Sequence, residues 1–388
     1  MFKIRKTEFS LGVIVGDLCL YAFFLLSLII FLYSYSHALF LTRLGFMIPG
    51  AIAGLIICIR NRKYSTLVYL LCIIVCYVFC TLVQSSLNYS VTDMIYTICY
   101  FGLAFVLLNN KYRHFATILI MAMGIGTVLL KIFQGISFNM ILLANSRNYI
   151  SALLLTVMLF YYVSCHDKTK YFLVTPAIIS FLISIYATGR GGIISTGFLA
   201  GALLIIKIRE IENKSLRRLL IFILIVVAIV TLVYLTGIGE TKFQDFLQKN
   251  FSRFYLKGAG DTARSDIWNA FLENNKRSIV SFIFSSDTTL ARSDGNLHNS
   301  FLQSYASFGL MGFMIVVIMT FRSLIIGIKE RDVLLTILFT TLIIRAFTDR
   351  IFFQGYNEIF LYYFMFYWDI HRFERKTVSN RISISKIA

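Results

Sequence analysis

Charged residues are scarce in this chain of 388 residues: 14% are Asp, Glu, Lys or Arg, whereas 58% are hydrophobic. A soluble domain cannot bury that much apolar surface, so the composition excludes a soluble fold. Proline is also rare, because only Pro49 and Pro176 occur. Broken half-helices of the kind that transporters use are therefore not a prominent feature.

Other absences exclude further classes of protein. None of the seven cysteines falls in the hydrophilic segment 237–299, so we expect no disulfide framework there. In that segment no two acidic residues are spaced from a histidine as metal ligands are, so we predict no metal site. No Walker or Rossmann sequence occurs in the chain, so we predict no cofactor. Although the net charge is +18, the basic residues do not form a pattern that would track a nucleic-acid phosphate backbone. We therefore predict no nucleic-acid partner. Cys72, Cys76 and Cys80 form a helical stripe, for which small-residue packing is favoured over a metal site.

What the chain does contain is a series of apolar blocks, each about as long as a helix that crosses a bilayer. They predict an all-α polytopic membrane protein with about 12 transmembrane helices. The blocks run over residues 11–33, 39–59, 65–83, 91–108, 115–133, 150–164, 171–187, 192–206, 219–236, 300–321, 333–347 and 359–370.

The positions of the basic residues predict the orientation, because short cytoplasmic loops retain Lys and Arg. Most of the 37 Lys and Arg residues fall in segments that are cytoplasmic if the N-terminus is inside. We therefore expect helices 1–9 in 1–236, an outer loop with short amphipathic helices in 237–299, helices 10–12 in 300–370 and a cytoplasmic tail in 371–388. Six basic residues remain at outer helix ends: Arg43, Lys131, Arg147, Arg190, Arg345 and Arg350.

Two arginine motifs fall on the predicted outer face. Arg190 lies among glycines, which allow a ligand close approach, and its guanidinium is a forked donor suited to phosphate. A turn with a snorkelling arginine is the alternative. Arg264 opens a predicted helix on which Trp268 and Phe271 share its face. An arginine in a first turn opposes the helix dipole, which suggests a function, although an amphipathic helix resting on lipid headgroups is the alternative.

His298 precedes the tenth predicted membrane helix. With Asn296 as N-cap, His298 would fall in the first turn, where the helix dipole favours the neutral imidazole, a competent general base. A solvated or capping histidine is the alternative. On that helix, Tyr305, Gly309 and Gly312 share the face of His298, and the glycines would allow close packing. Arg147, at the start of the sixth helix, adds another outer cation.

These residues resemble the motifs of the bacterial O-antigen ligase and polymerase superfamily, which are membrane glycosyltransferases. The resemblance covers roughly residues 145–312, and Gly189 stands where the family usually has Ser. The matching positions are Thr188-Gly189-Arg190-Gly191, Arg264 and Trp268, His298 with Asn299, Leu302, Gly309 and Gly312, and Arg147-Asn148.

The resemblance implies a GT-C-like architecture and an inverting, metal-independent transfer of a glycan from undecaprenyl diphosphate to a sugar hydroxyl. It implies that His298 is the base and that Arg190, Arg264 and Arg147 bind diphosphate. Asn299, Trp268, Tyr305, Gly309 and Gly312 would support them, with Trp268 anchoring the loop helix or stacking on a sugar.

The family context further implies a bacterial inner membrane location, cytoplasmic termini and a periplasmic active site. Its partners would be lipid-linked oligosaccharide donor and acceptor, membrane lipids and a chain-length regulator. We favour a polysaccharide polymerase. A ligase that transfers the chain to lipid A core is the close alternative, because it shares the motifs, and a lipid-linked sugar flippase is the alternative from another class.

Overall fold

The computed structural model describes residues 11–33, 37–61, 63–83, 91–109, 114–142, 147–166, 172–187, 189–220, 262–285, 297–352 and 357–370. These ranges are mainly helical and contain no strand. The helices are α1 (Leu11–Leu32), α2 (His37–Arg60), α3 (Tyr64–Val83), α4 (Val91–Asn109), α5 (His114–Phe133), α6 (Phe138–Ile141), α7 (Asn148–Ser164), α8 (Thr175–Tyr186), α9 (Arg190–Arg209), α10 (Thr262–Asn275), α11 (Ile279–Phe284), α12 (Ser300–Lys329), α13 (Val333–Thr348) and α14 (358–370). Residues 214–220 are also helical.

The prediction of an all-α membrane protein is confirmed over these residues. Helices α1, α2, α3, α5, α9 and α12 are long and apolar enough to cross a membrane, and α4, α7, α8 and α13 are apolar but shorter. Every predicted block coincides with a helix except 219–236, most of which lies outside the described residues. The short helices α10 and α11 lie within segment 237–299. The number of twelve spans stays a prediction.

Helix α7 forms the centre of the bundle. Its residues from Ile150 to Ser164 are all buried, and α5, α8, α9 and α13 pack around it. A helix that is apolar on every side is stable only when other helices or lipid surround it. The first part of α14, residues 358–366, is buried in the same way. Helix α7 and the first part of α14 thus form the interior of the bundle, and most of the exposed apolar side chains lie on other helices.

Small residues set the closest helix contacts. At the crossing of α2 and α4, a Cβ atom on Gly54 would lie 1.8 Å from the carbonyl oxygen of Gly102. Close approach of this kind is how helices associate in lipid. Cys80 of α3 packs against α12 at Gly309, and Cys76 is in contact range of Gly312. The predicted packing role of the cysteine stripe is therefore confirmed for these two members.

A polar cluster fixes one end of the bundle. His166 Nε2, just beyond α7, lies 3.0 Å from Asp332 Oδ1 in the α12–α13 turn, and His166 Nδ1 lies 3.2 Å from the Tyr367 hydroxyl on α14. Asp332 also caps α13 by accepting from the Leu335 backbone N–H. The N-terminal end of α13 is thereby held in place. We call this end of the bundle the opposite end. The other end, where α13 ends at Thr348, is called the site end.

Candidate functional site

The C-terminal end of α13 carries a buried ion pair. Arg345 Nη2 donates to Asp349 Oδ2 at 3.1 Å, and the side chains are only 2% and 3% exposed. Asp349 is the C-cap residue of α13. Ionisable groups at such a position in a membrane protein are costly, so by default they indicate a functional site.

Arg345 also joins the three helices that meet at the site end. Its Nη1 donates to Thr348 Oγ1 at 3.2 Å, and its Nη2 donates to the Asn148 carbonyl oxygen of α7 at 3.2 Å. Gly191 of α9 lies so close that an added Cβ would be 2.2 Å from Thr348 Oγ1 and 2.9 Å from Arg345 Nη1. The starts of α7 and α9 therefore pack directly against the end of α13.

His298 faces this ion pair. Its Nδ1 lies 3.5 Å from Asp349 Oδ1, and the side chain is 35% exposed. That separation is longer than a well-formed hydrogen bond, and catalytic contacts often tighten only when substrate binds. A carboxylate beside one ring nitrogen fixes the tautomer and leaves the other, Nε2, for proton transfer.

The predicted placement of His298 in the first turn of a helix is wrong. The N-cap of α12 is Asn299, whose Oδ1 accepts from the backbone N–H groups of Phe301 at 2.9 Å and Leu302 at 3.1 Å. His298 lies before the helix with φ of +50°, in the left-handed region. Asn296, the predicted cap, lies outside the described residues. Because a residue in this conformation stores backbone strain, and strain clusters at functional sites, the geometry itself marks His298.

The segment around His298 is tied to α13 through backbone groups. Asn299 Nδ2 donates to the Phe347 carbonyl oxygen at 3.3 Å. Ser300 Oγ donates to the Asp349 carbonyl oxygen at 2.9 Å and accepts from the Ile351 backbone N–H at 2.9 Å. His298 and Asp349 are therefore held by a shared network and not by the ion pair alone.

Asp349 remains an anion in this setting. Burial by itself would raise the pKa of the Asp349 carboxyl, but the contact with His298, the positive charges of Arg345 and Arg264 and the Arg350 backbone N–H together lower it to about 2. The carboxylate can therefore orient the imidazole and stabilise an imidazolium when one forms.

Arg264 reaches the same point from α10. It lies in the first turn, as predicted, and its Nη1 donates to the Thr348 carbonyl oxygen. On the same face, Trp268 Nε1 donates to the Leu297 carbonyl oxygen at 2.6 Å, directly before His298, and Phe271 is buried. The predicted shared face is confirmed, and in this structure Trp268 anchors the His298 segment.

Arg190 and Arg147 begin the neighbouring helices. Arg190 is the first residue of α9, beside Gly191, and Arg147 is the N-cap residue of α7, beside Asn148. Gly189 faces Asn148, since an added Cβ would lie 3.2 Å from Asn148 Oδ1. The site end gathers five arginines: Arg147, Arg190, Arg264, Arg345 and Arg350. Arg345 is buried against Asp349, and the other four suit an anionic ligand.

Three predicted supporting residues lie further along α12. The Tyr305 hydroxyl donates to the Phe282 carbonyl oxygen of α11, and its ring packs edge-on against Phe271. Gly309 has φ of +66° and breaks α12, and it faces α11 and α3, while Gly312 packs against Phe308. Tyr305 and Gly309 hold α11 against the bundle. Gly309 and Gly312 do not fix His298, because the histidine is not on the helix and the break lies between, whereas Tyr305 shares a buried cluster with Leu297, the residue directly before His298.

Asp349 and Arg345 are the site residues that sequence reasoning missed. Arg345 was expected only as one of the outer basic residues. The spacing of Arg345 and Asp349 by four residues, at the end of an apolar helix, is a signal of an ion pair that could have identified them.

Gly191 offers a test of how tightly this site is packed. Gly191→Ala should lower the free energy of unfolding by about 1–3 kcal/mol and reduce activity, because the new methyl group displaces Thr348 and Arg345. Gly201→Ala, in the same helix with nothing within 4 Å of its Cβ, is the matched control. It should be neutral or stabilising by up to about 1 kcal/mol. Unfolding midpoints in detergent measure both, and equal midpoints would contradict the packing.

Comparison with models of known protein families finds no match, and no curated protein is significantly similar to the chain. The arrangement itself therefore bears the functional argument: a histidine beside a buried carboxylate, surrounded by arginines, at one end of an apolar helix bundle.

Proposed function

We propose that this chain is a membrane glycosyltransferase, a polysaccharide polymerase that elongates lipid-linked glycans. The observation that carries the proposal is the contact of His298 with Asp349 at the point where Arg264 and the start of α9 also meet. A glycosyl diphosphate already contains a good leaving group. The enzyme must supply charge neutralisation and a base, and this site offers both.

In the proposed reaction, an acceptor sugar hydroxyl attacks the anomeric carbon of the donor glycan with inversion. Its proton passes to His298 Nε2, which Asp349 orients. The bond between the anomeric carbon and the diphosphate oxygen breaks, and undecaprenyl diphosphate leaves with the electron pair. Arg190 and Arg264 neutralise the diphosphate charge, with Arg147 as a third cation. No metal takes part in this scheme.

The proposal includes a bacterial inner membrane location, twelve spans, a GT-C-like architecture and the site end on the periplasmic face. The single-cysteine positions Lys276→Cys and Lys214→Cys test the orientation, because they are exposed at the site end and the opposite end respectively. In a cysteine-free background, an impermeant reagent added to spheroplasts should label position 276 and spare position 214. The reverse pattern would place the site in the cytoplasm and exclude a periplasmic polymerase.

Polymer formation by the purified protein tests the activity. In liposomes with a defined undecaprenyl-diphosphate-linked repeat unit, the protein should produce a ladder of chain lengths, unchanged by chelator. Addition of lipid A core tests the ligase alternative: a product only with that acceptor would identify a ligase. Absence of both products would remove the proposal.

Lysine substitution tests the role of the arginines. Arg190→Lys and Arg264→Lys should each lower transfer nearly as far as alanine, because lysine keeps the charge but lacks the planar two-pronged donor. Lys276→Arg, at an exposed position on the same side, is the control for expression and insertion. Ladder synthesis at equal protein level is the measurement. Near-normal chains from both lysine variants would reduce the two arginines to anchoring residues.

A transporter of lipid-linked sugars is a second candidate, favoured by one observation. Glu358 is fully buried at the start of α14 and accepts a hydrogen bond from the Tyr362 hydroxyl at 2.7 Å. Ionisable residues inside a helix bundle are typical of transport pathways. Liposomes that move a fluorescent lipid-linked sugar across the bilayer without extending it would favour this candidate.

A further inference from the structure

Helix α11 presents an apolar surface to its surroundings. Four of its six residues are apolar and exposed, and the exposed fraction reaches 78% at Ile279 and 49% at Phe282. Val280 and Ile283 complete the surface. Contiguous apolar patches of this kind are uncommon on surfaces that face water and mark interaction sites.

The backbone of α11 fixes which way this surface points. The carbonyl groups at its C-terminal end meet the bundle: the Phe282 carbonyl oxygen accepts from the Tyr305 hydroxyl, and a Cβ on Gly309 would lie 2.6 Å from the Ile283 carbonyl oxygen. The C-terminal end of α11 therefore packs on α12 and α3, and the four exposed apolar side chains lie away from that contact.

The exposed surface is continuous with the sides of two membrane-spanning helices. Cys80 of α3 and Gly309 of α12 are in mutual contact range beside α11. Val83, three residues beyond Cys80 and so on the same side of α3, is 43% exposed, and Met311, just beyond the break in α12, is 64% exposed. Because α3 and α12 are long and apolar enough to cross a membrane, these side chains face lipid, and α11 extends the same apolar band.

Two cations mark the polar border of the band. Lys276 and Arg277 directly precede α11 and are exposed, and Lys276 Nζ also lies 2.9 Å from Glu273 Oε1. Ser278 then caps α11, since its Oγ accepts from the Ser281 backbone N–H at 3.0 Å. A basic border beside an apolar face is typical of segments that lie in a membrane interface.

We infer that α11 is seated in the bilayer leaflet at the site end, with its apolar side chains among the acyl chains and Lys276 and Arg277 at the lipid phosphates. The inference concerns the membrane itself and stands independently of the proposed reaction.

Fluorescent labels at two positions test whether α11 lies in the bilayer leaflet. In a cysteine-free protein reconstituted into phosphatidylethanolamine and phosphatidylglycerol vesicles, an environment-sensitive dye is attached at Phe282→Cys or at Lys276→Cys, six residues away. The dye at 282 should emit at shorter wavelength and be quenched several-fold more by lipid with a spin label near the top of the acyl chain. The dye at 276 should be quenched more by aqueous iodide. Unfolding midpoints confirm that both labelled proteins are folded.

Two results would overturn the inference. Equal iodide quenching at 282 and 276, without quenching by spin-labelled lipid, would show that α11 faces water. Protection of position 282 from both quenchers would show that protein covers it, as a second copy of the chain would. Repeating the measurement with His298→Ala separates the membrane position of α11 from the proposed reaction. The quenching at position 282 by spin-labelled lipid should persist when glycan transfer is lost.

Discussion

A His298→Gln variant should insert and fold normally and yet build no glycan chain, with transfer lowered by about 10²–10⁴-fold. Glutamine keeps a hydrogen-bonding side chain but cannot take the acceptor proton. His298→Ala should be equally inactive. The measurement is the ladder of products from purified protein and defined lipid-linked substrate, with and without chelator.

The left-handed backbone at His298 requires a control variant for effects on folding. With φ of +50°, this position suits asparagine better than alanine or glutamine, because asparagine tolerates the left-handed region. His298→Asn should therefore retain the unfolding midpoint of the natural chain while also failing to transfer. Binding of lipid diphosphate should persist in all three variants, since the arginines remain. Long chains from the glutamine or asparagine variant would exclude general-base catalysis by His298.

Asp349→Asn should have the largest effect on stability. It removes one partner of a buried ion pair and leaves the Arg345 guanidinium uncompensated, which costs about 3–5 kcal/mol in buried pairs. Transfer should also fall by about 10²–10⁴-fold, because an amide cannot orient the imidazole or stabilise its charged form as a carboxylate does.

A second substitution separates these two effects. Arg345→Met in the Asp349→Asn background removes the unpaired cation, so the double variant should recover much of the lost stability while transfer stays low. Unfolding in denaturant and ladder synthesis, measured on the same preparations, provide the comparison. Recovery of activity together with stability would show that Asp349 is purely structural.

The pH dependence of stability gives an independent reading of the Asp349 charge. Its pKa is lowered from 3.8 to about 2, so the stability it contributes is present above pH 4 and is lost as the pH falls toward 2. The loss should amount to about 2 kcal/mol in the natural chain. Asp349→Asn should lack this component. Parallel pH profiles for the two proteins would contradict a buried, ionised Asp349.

The helical, membrane-embedded character of the chain was predictable because hydrophobicity reports it directly. The apolar blocks locate α1 to α5, α7 to α9, α13 and α14 to within about four residues, and the start of α12, whose end lies eight residues beyond the predicted block. The gathering of Arg190, Arg264 and His298 at one end was also predictable, since the basic residues fix which helix ends share a side. The burial of each helix was not predictable: α7 is less apolar than α1 and yet all of its residues from Ile150 to Ser164 are buried, so packing, and not hydrophobicity, decides which helices lie inside.

The finer geometry of the site depends on contacts between distant segments. Asn296 and Asn299 are both suitable caps in sequence, and the hydrogen bonds from Asn299 to Phe347 and from Ser300 to Asp349 select the later one. That choice moves His298 off the helix into a left-handed conformation. No local pattern encodes the approach of His298 to a carboxylate 51 residues away.

The break at Gly309 sets the depth of the proposed reaction. From Lys329 back to Leu310, α12 rises about 30 Å, which matches the hydrocarbon thickness of a bilayer. The next turns, Ser300–Phe308, add up to about 13 Å, which is more than the roughly 5–8 Å of headgroup layer on one side. His298 would then stand at the aqueous border of the lipid phosphates, level with the first sugars of a lipid-linked glycan. The length of one helix segment thus determines which part of such a substrate the histidine can touch.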